Sequence, residues 1–217
     1  NVGVVGSDVG GVGTARSYIG AAKYGTDKAI FGYGYDGSRL SMTNLVSNVG
    51  VVGSDVGGVG TARSYIGAAK YGTDKAIFGY GYDGSRLSMT NLVSNVGVVG
   101  SDVGGVGTAR SYLAAAKYGT DKAIFGYGYD GSPLSMSNLV SNSGVVASDV
   151  SGVGTARYDL AGASYGGDKA IFGYGTAASG KVSLTNLVNS SGVIAADVTG
   201  VGTARSEIAA AGYSSSA

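Results

Sequence analysis

Short apolar and aromatic runs alternate with Gly-, Ser- and Asp-rich stretches along the whole chain. Residues 28–34 (KAIFGYG) combine β-branched and aromatic side chains, which predicts a strand. Residues 40–46 (LSMTNLV) alternate apolar and polar positions over their first half, which predicts a second strand. Residues 3–5 (GVV) predict a third, and the polar turns at 25–27 and 35–38 lie between strands.

Residues 14–25 fit two interpretations. One is a helix with Thr14 as N-cap and Gly25 just past its end. Gly20 in the middle of the segment argues against a helix, since it costs about 1 kcal/mol relative to Ala there. Ala and Gly also suit a strand whose backbone neighbours approach closely. The strand is favoured, and the helix stays open as the alternative.

The pattern repeats with a period of 47 residues. Residues 48–94 are identical to residues 1–47, and the third unit differs at four positions: Leu113, Ala114, Pro133 and Ser137. The fourth unit diverges further and has one extra residue. The chain is therefore interpreted as a single repeat domain, whose units are 1–47, 48–94, 95–141, 142–189 and a partial 190–217.

Four predicted strands in about 47 residues are typical of a β-propeller blade. The order Ala15-Arg16, a small-residue strand, then an aromatic–Gly strand at 28–34 resembles a kelch blade. Two features depart from kelch repeats: Tyr33 splits a Gly pair, and the Trp common late in such blades is absent. The amino-acid sequence of the repeats also resembles Gly-rich repeat arrays in tail-fibre-like and other virion proteins of environmental bacteriophages.

The resemblance implies an all-β propeller with four full blades and a split partial fifth. A β-rich solenoid with one short helix per repeat is the alternative. Cutting the chain before each repeated Arg leaves outer-strand residues 1–15 at one end and inner-strand residues 205–217 at the other. We hypothesise that the blades form a ring that is closed, or nearly closed, with five blade positions.

Composition narrows the function. Gly accounts for 42 of 217 residues, while Cys, His and Trp are absent. A disulfide framework, a Cys or His metal site and a His-based triad are therefore excluded, and no cofactor is expected. The net charge of +1 predicts no nucleic-acid partner, and no apolar stretch is long enough to predict a membrane span.

Charged residues recur once per unit, in an Arg series and an Asp series that includes Asp8, Asp55 and Asp102. One interpretation is a charged ring that holds an ion or ligand. The favoured interpretation is structural: each Arg bonds to carbonyls or a carboxylate of a neighbouring blade and locks the two together. The Arg series comprises Arg16, Arg63, Arg110, Arg157 and Arg205.

The best ligand-binding candidate is the turn after the aromatic strand. A Tyr ring stacks on sugar C–H groups, while neighbouring charged groups bond hydroxyls. An ordinary hairpin turn with an exposed Tyr is the competing interpretation. The candidate residues are Tyr35, Asp36 and Arg39, then Tyr82, Asp83 and Arg86, then Tyr129 and Asp130.

These observations favour a non-enzymatic structural and adhesion module in a phage fibre or similar extracellular appendage. A cell-surface glycan or protein receptor is the expected partner, and near-identical units predict homo-oligomers or assembly with other appendage proteins. A stand-alone lectin-like or protein-binding propeller is the alternative. A glycan-degrading enzyme is disfavoured because the acids lie in repeated turns, whereas an active site normally breaks repeat symmetry.

Overall fold

A computed structural model describes residues 7–212, and over that range the chain is all-β. Each of the first three units forms an antiparallel sheet of three consecutive strands, in the order in which they occur along the chain. These strands are β1 Gly20–Tyr24, β2 Lys28–Tyr35, β3 Arg39–Val46, β4 Gly67–Tyr71, β5 Lys75–Tyr82, β6 Arg86–Val93, β7 Ala114–Tyr118, β8 Lys122–Tyr129 and β9 Pro133–Val140.

The fourth unit is split into two small sheets. The strand of the Arg segment joins a short hairpin, and the remaining strands repeat the arrangement of the earlier units in shorter form. The extra residue of this unit lies in that hairpin region. Its strands are β10 Arg157–Tyr158, β11 Ala161–Tyr165, β12 Lys169–Gly173, β13 Thr176–Ala177, β14 Gly180–Lys181 and β15 Thr185–Val188.

The ambiguous Ala/Gly segment is a strand, so the helix alternative is wrong for the described units. Strand β1 pairs antiparallel with β2, from Gly20 opposite Gly32 to Tyr24 opposite Lys28. Its side chains alternate between buried positions such as Ala22 and exposed ones such as Lys23. This two-residue period is what a strand with one buried face requires.

The strand predicted from the GVV pattern is reduced to isolated bridges in the later units, so each sheet has three strands where four were expected. Val52 bridges Val46, and Val56 bridges Thr43, without a continuous ladder between them. Gly50 interrupts the segment at φ 81°, a left-handed turn conformation that ends regular pairing. The predicted strand at residues 3–5 lies outside the described residues.

A β-bulge in β3 lies opposite Tyr33, the residue that splits the Gly pair. Gly32 is opposite Thr43 and Gly34 is opposite Leu40, so two residues of β3 face the single residue Tyr33, whose φ is 62°. Its ring is fully buried, and its hydroxyl donates to the carbonyl of Val59 at 3.3 Å. The bulge thereby turns a large aromatic side chain toward the next unit.

Consecutive units pack by fitting an aromatic ring over a glycine. The Phe78 ring lies edge-on to Tyr33 at 5.2 Å between centroids and covers Gly32. A Cβ placed on Gly32 would lie 2.7 Å from Cζ of Phe78, so only glycine permits this approach. The same contact joins units two and three and units three and four, through Phe125 and Phe172. Each hydrophobic core therefore spans two consecutive units.

No helix in residues 7–212 is long and apolar enough to cross a membrane.

Candidate functional site

The repeated Arg is the centre of a buried hydrogen-bond network, called here the clasp. In the second unit, Arg63 donates to the carbonyl of Tyr80 at 2.9 Å and to Oδ1 of Asn91 at 2.6 Å. Asn91 donates to Asp102 at 2.9 Å, and the hydroxyl of Thr61 donates to the same carboxylate at 2.8 Å. One guanidinium thus ties together β5, β6 and the two loops that flank them.

The clasp recurs around Arg16, Arg110 and Arg157, with Asn44, Asn138 and Asn186 as the amide partners. Arg63, Arg110 and Arg157 are 0% exposed, so these three cannot present charge to a ligand from solution. Their contact with the preceding unit is made through an aromatic face: the Arg63 guanidinium lies 4.2 Å from the ring centroid of Tyr33. Arg205 lies over Tyr174 in the same way.

The clasp also sets the charge state of its carboxylate. Partial burial raises the pKa of Asp102, but hydrogen bonds from Asn91 and Thr61 and the charge of Arg63 outweigh burial. The net pKa lies below its usual value, and the equivalent Asp149 and Asp197 behave alike. Burial lowers the pKa of Arg63, yet a guanidinium stays protonated at any neutral pH. Arg63 Nη1 lies 3.8 Å from Oδ1 of Asp102, so the hydrogen-bond network of the clasp also contains an ion pair.

The Asp of each predicted binding turn bonds to its own turn. Oδ1 of Asp36 accepts from the Ser38 amide at 3.0 Å, and Asp83 and Asp130 cap Ser85 and Ser132 equivalently. These carboxylates thus have one acceptor site already used locally.

The Arg of each turn stacks on the Tyr of the next unit. Arg39 lies 4.8 Å from the ring centroid of Tyr82, and Arg86 lies 5.0 Å from that of Tyr129. Tyr35 is 38% exposed and forms no such pair within residues 7–212. The structure therefore pairs Tyr and Arg across the hairpin within each of these two turns, and it also stacks the Arg on the Tyr of the next unit.

A row of residues that sequence reasoning missed lies beside these turns. Tyr65 donates its amide proton to the carbonyl of Tyr18 at 3.1 Å, and Tyr112 donates to Tyr65 at the same distance. The ladder continues from Asp159 to Tyr112 and from Glu207 to Asp159, both at 3.0 Å. We call these five residues, one per unit, the ladder row.

Every member of the ladder row has a positive φ, between 53° and 57°. This left-handed conformation is unfavourable for residues with a Cβ. The backbone bonds between units hold it, and the side chains are consequently set close together. The rings of Tyr18 and Tyr65 are 4.1 Å apart, and those of Tyr65 and Tyr112 are 4.0 Å apart.

The three tyrosines of the ladder row, Tyr129 of the third predicted turn and Tyr158 form one aromatic face. Tyr158 lies 6.0 Å from Tyr112 and 5.0 Å from Tyr129, measured between ring centroids. Four of the five rings line a cavity of about 630 Å³, with Leu and Ile side chains as its apolar wall. The fifth, Tyr129, packs against two of these rings from outside the cavity.

Two carboxyl groups, Asp159 and Glu207, line the same cavity. Burial and the nearby negative charge of Glu207 raise the pKa of Asp159 to about 6. Burial and the neighbouring hydroxyls of Tyr18 and Tyr112 raise the pKa of Tyr65. Asp159 and Glu207 occupy the positions of Tyr18 in the first unit. The signal in the sequence was that this position changes between units, while the Arg two residues before it does not.

Within residues 7–212, no three acidic side chains come together as a metal site. Neither a protein-family model nor a curated protein sequence matches this chain. The site is therefore interpreted from its own geometry.

Proposed function

We propose that this chain is a non-enzymatic structural and adhesion module that binds glycans through its aromatic face. The observation that carries the proposal is the cavity of about 630 Å³ lined by stacked tyrosines from three successive units. Aromatic rings bind the C–H faces of sugars, and the adjoining carboxyl and hydroxyl groups accept and donate hydrogen bonds. The backbone ladder holds these rings in place before a ligand arrives, which limits the entropy lost on binding.

A pair of Tyr→Ala variants at one repeat position tests this function. Tyr129 packs against Tyr112 and Tyr158, whereas Tyr35 forms no aromatic pair in the described part of the chain. On a glycan array, followed by titration with the best ligand, Tyr129→Ala is expected to weaken binding about tenfold, or ~1.4 kcal/mol, because the cavity rings Tyr112 and Tyr158 lose the ring that packs against them from outside. Tyr35→Ala should change it less than about threefold. Absence of any glycan ligand, or equal losses in both variants, contradicts the proposal.

The arrangement of units that best suits this function is a kelch-like β-propeller, closed or nearly closed at five positions. Strands β1, β4, β7 and β11, together with Ala210 and Gly212, line one common cavity of about 460 Å³. Convergence of the inner strands on a shared space supports a central axis. An experimental structure with four blades and two dangling ends would contradict closure at five.

Self-association is also proposed, because the units are nearly identical and a strand edge of one copy can accept the matching strand of another copy. Light scattering that gives a monomer at high protein concentration would count against homo-oligomers.

A virion or extracellular location is proposed because the sequence of the repeats resembles that of phage fibre proteins. Rigid display of several weak sites there would gain avidity. A stand-alone lectin-like or protein-binding propeller is the alternative. Copurification of the chain with a virion or filament separates the two: presence in the particle supports the first, and consistent absence supports the second.

Glycoside cleavage is a second candidate function, favoured by one observation. Asp159, with a pKa raised to about 6, lies beside Glu207 in the aromatic cavity, and such carboxyl pairs serve as acid and base in glycosidases. Incubation with the bound glycan tests it. Cleavage that Asp159→Asn abolishes would establish an enzyme, and an intact glycan would support binding alone.

A further inference from the structure

A second cavity is lined by strands β1, β4, β7 and β11. Its lining is positively charged, whereas the aromatic cavity is lined by acidic residues. Its walls carry one Lys from each of the first three units, Lys23, Lys70 and Lys117, above a floor of Ala and Gly. We call it the lysine groove. Among residues 7–212, no Asp or Glu lines its volume of about 460 Å³, whereas the aromatic cavity is lined by Asp159 and Glu207 and by no Lys or Arg.

The three ammonium groups lie close enough to repel one another. Lys23, Lys70 and Lys117 occupy equivalent positions on the adjacent strands β1, β4 and β7. Burial, followed by the positive charges of Lys23 and Lys117, lowers the pKa of Lys70, and Asp74 opposes this only weakly. Like charges on neighbouring strands are destabilising.

The fold leaves this repulsion uncompensated. In the described part of the chain, none of these three lysines forms an ion pair with a carboxylate. Lys117 instead donates to the carbonyl of Gly167 at 3.4 Å. Among the lysines beside the turns, Lys169 pairs with Asp168 at 3.1 Å, whereas Lys28, Lys75 and Lys122 form no ion pair in the described part of the chain. The groove therefore has a net positive charge that a bound anion would neutralise.

We propose that the lysine groove binds an acidic polysaccharide through its sulfate or carboxylate groups. Three cations on rigid strands present a repeated array, which suits a polymer with a negative charge on successive sugars. A polysaccharide is favoured over nucleic acid because the floor is Ala and Gly, and among the described lining residues only Tyr165 offers a ring for base stacking. This site does not depend on glycan binding at the aromatic face.

Two triple variants with the same change in charge test the proposal. The groove variant is Lys23→Gln/Lys70→Gln/Lys117→Gln. The control is Lys28→Gln/Lys75→Gln/Lys122→Gln, at exposed positions beside the turns. Binding of dextran sulfate, polygalacturonate, neutral dextran and single-stranded DNA is measured by titration at low and high salt. The groove variant relieves repulsion, so we expect it to fold, which circular dichroism verifies.

The wild-type protein is expected to bind at least one acidic polysaccharide more tightly than neutral dextran, and salt should weaken that binding. The groove variant should lose about tenfold in affinity, and the control less than about threefold. Preference for dextran sulfate or polygalacturonate identifies the anion. Equal losses in both variants, no preference over neutral dextran, or tighter binding of the DNA would overturn the proposal. Neutral-glycan binding at the aromatic face is a separate measurement, so either site can fail alone.

Discussion

The clasp and the ladder row both recur from unit to unit, but the clasp conserves its side chains and the ladder row conserves only its backbone conformation. In the clasp the side chains repeat: Arg, Asn, Asp and Thr recur four times with nearly the same hydrogen bonds. In the ladder row the backbone repeats, with φ between 53° and 57°, while the side chains change from Tyr to Asp and Glu. Where side chains hold the fold they stay constant, and where the backbone holds it they are free to vary.

The largest expected effect is at the clasp. Arg110→Ala removes a fully buried guanidinium and leaves Asn138 and the carbonyl of Tyr127 without their donor. We expect the free energy of unfolding to fall by about 3–5 kcal/mol, as measured by urea denaturation. Arg86→Ala, which removes a cation–π contact at 5.0 Å, is the control and should cost about 1 kcal/mol. Similar losses would contradict the role assigned to the clasp.

The contact between units gives the next effect. Gly79→Ala places a Cβ about 2.7 Å from the ring of Phe125 and should destabilise the protein by about 1–3 kcal/mol, measured by thermal or urea unfolding. Gly104→Ala is the matched control, because no described atom lies within 4 Å of the position that its Cβ would take, and its φ is not positive. That variant should change stability by less than about 0.5 kcal/mol. A tolerated Gly79→Ala would mean that the units pack more loosely than the ring-on-glycine contact implies.

The two kinds of acid should show opposite pH dependence. The folded-state pKa of Asp102 is below its usual value, so its contribution to stability is present above about pH 4 and is lost as pH falls through the folded pKa. The pKa of Asp159 is raised to about 6, so its ionisation lowers stability as pH rises from about 4 to 6.

Asp159→Asn should therefore raise the free energy of unfolding by ~1 kcal/mol at pH 8, a value that allows for the partial exposure of Asp159. At pH 4 the same substitution should leave the free energy of unfolding nearly unchanged. Asp102→Asn should destabilise it at pH 7, with a smaller effect below pH 3. Unfolding curves across this pH range measure both. If the effect of both substitutions on stability changes with pH in the same direction, the clasp acid and the ladder-row acid do not differ as proposed.

Much of the fold was predictable because each unit carries local signals. The aromatic run of β2, the alternation in β3 and the Ala/Gly composition of β1 all indicate strands. The strand predicted from the GVV pattern does not form at its second copy, residues 50–52, because only Val52 pairs there, in an isolated bridge. Tyr33 splits a Gly pair in the sequence, but its place opposite a bulge in β3 depends on the register between the two strands.

The candidate site was less predictable, since its parts come from different units. The sequence places Tyr129 in a turn, but its partners Tyr112 and Tyr158 are brought to it by the packing of strands. The lysine groove had no signal in the sequence beyond a Lys at the same position of the first three units.

The sequence alone determined the repeat, the strands and the absence of His and Cys chemistry, because these follow from local composition and period. The tertiary structure decided which residues meet. Hydrogen bonds between successive units set Tyr18, Tyr65 and Tyr112 in contact and gathered Asp159 and Glu207 beside them. Contacts between residues one repeat apart depend on how units pack, and no local pattern encodes that packing.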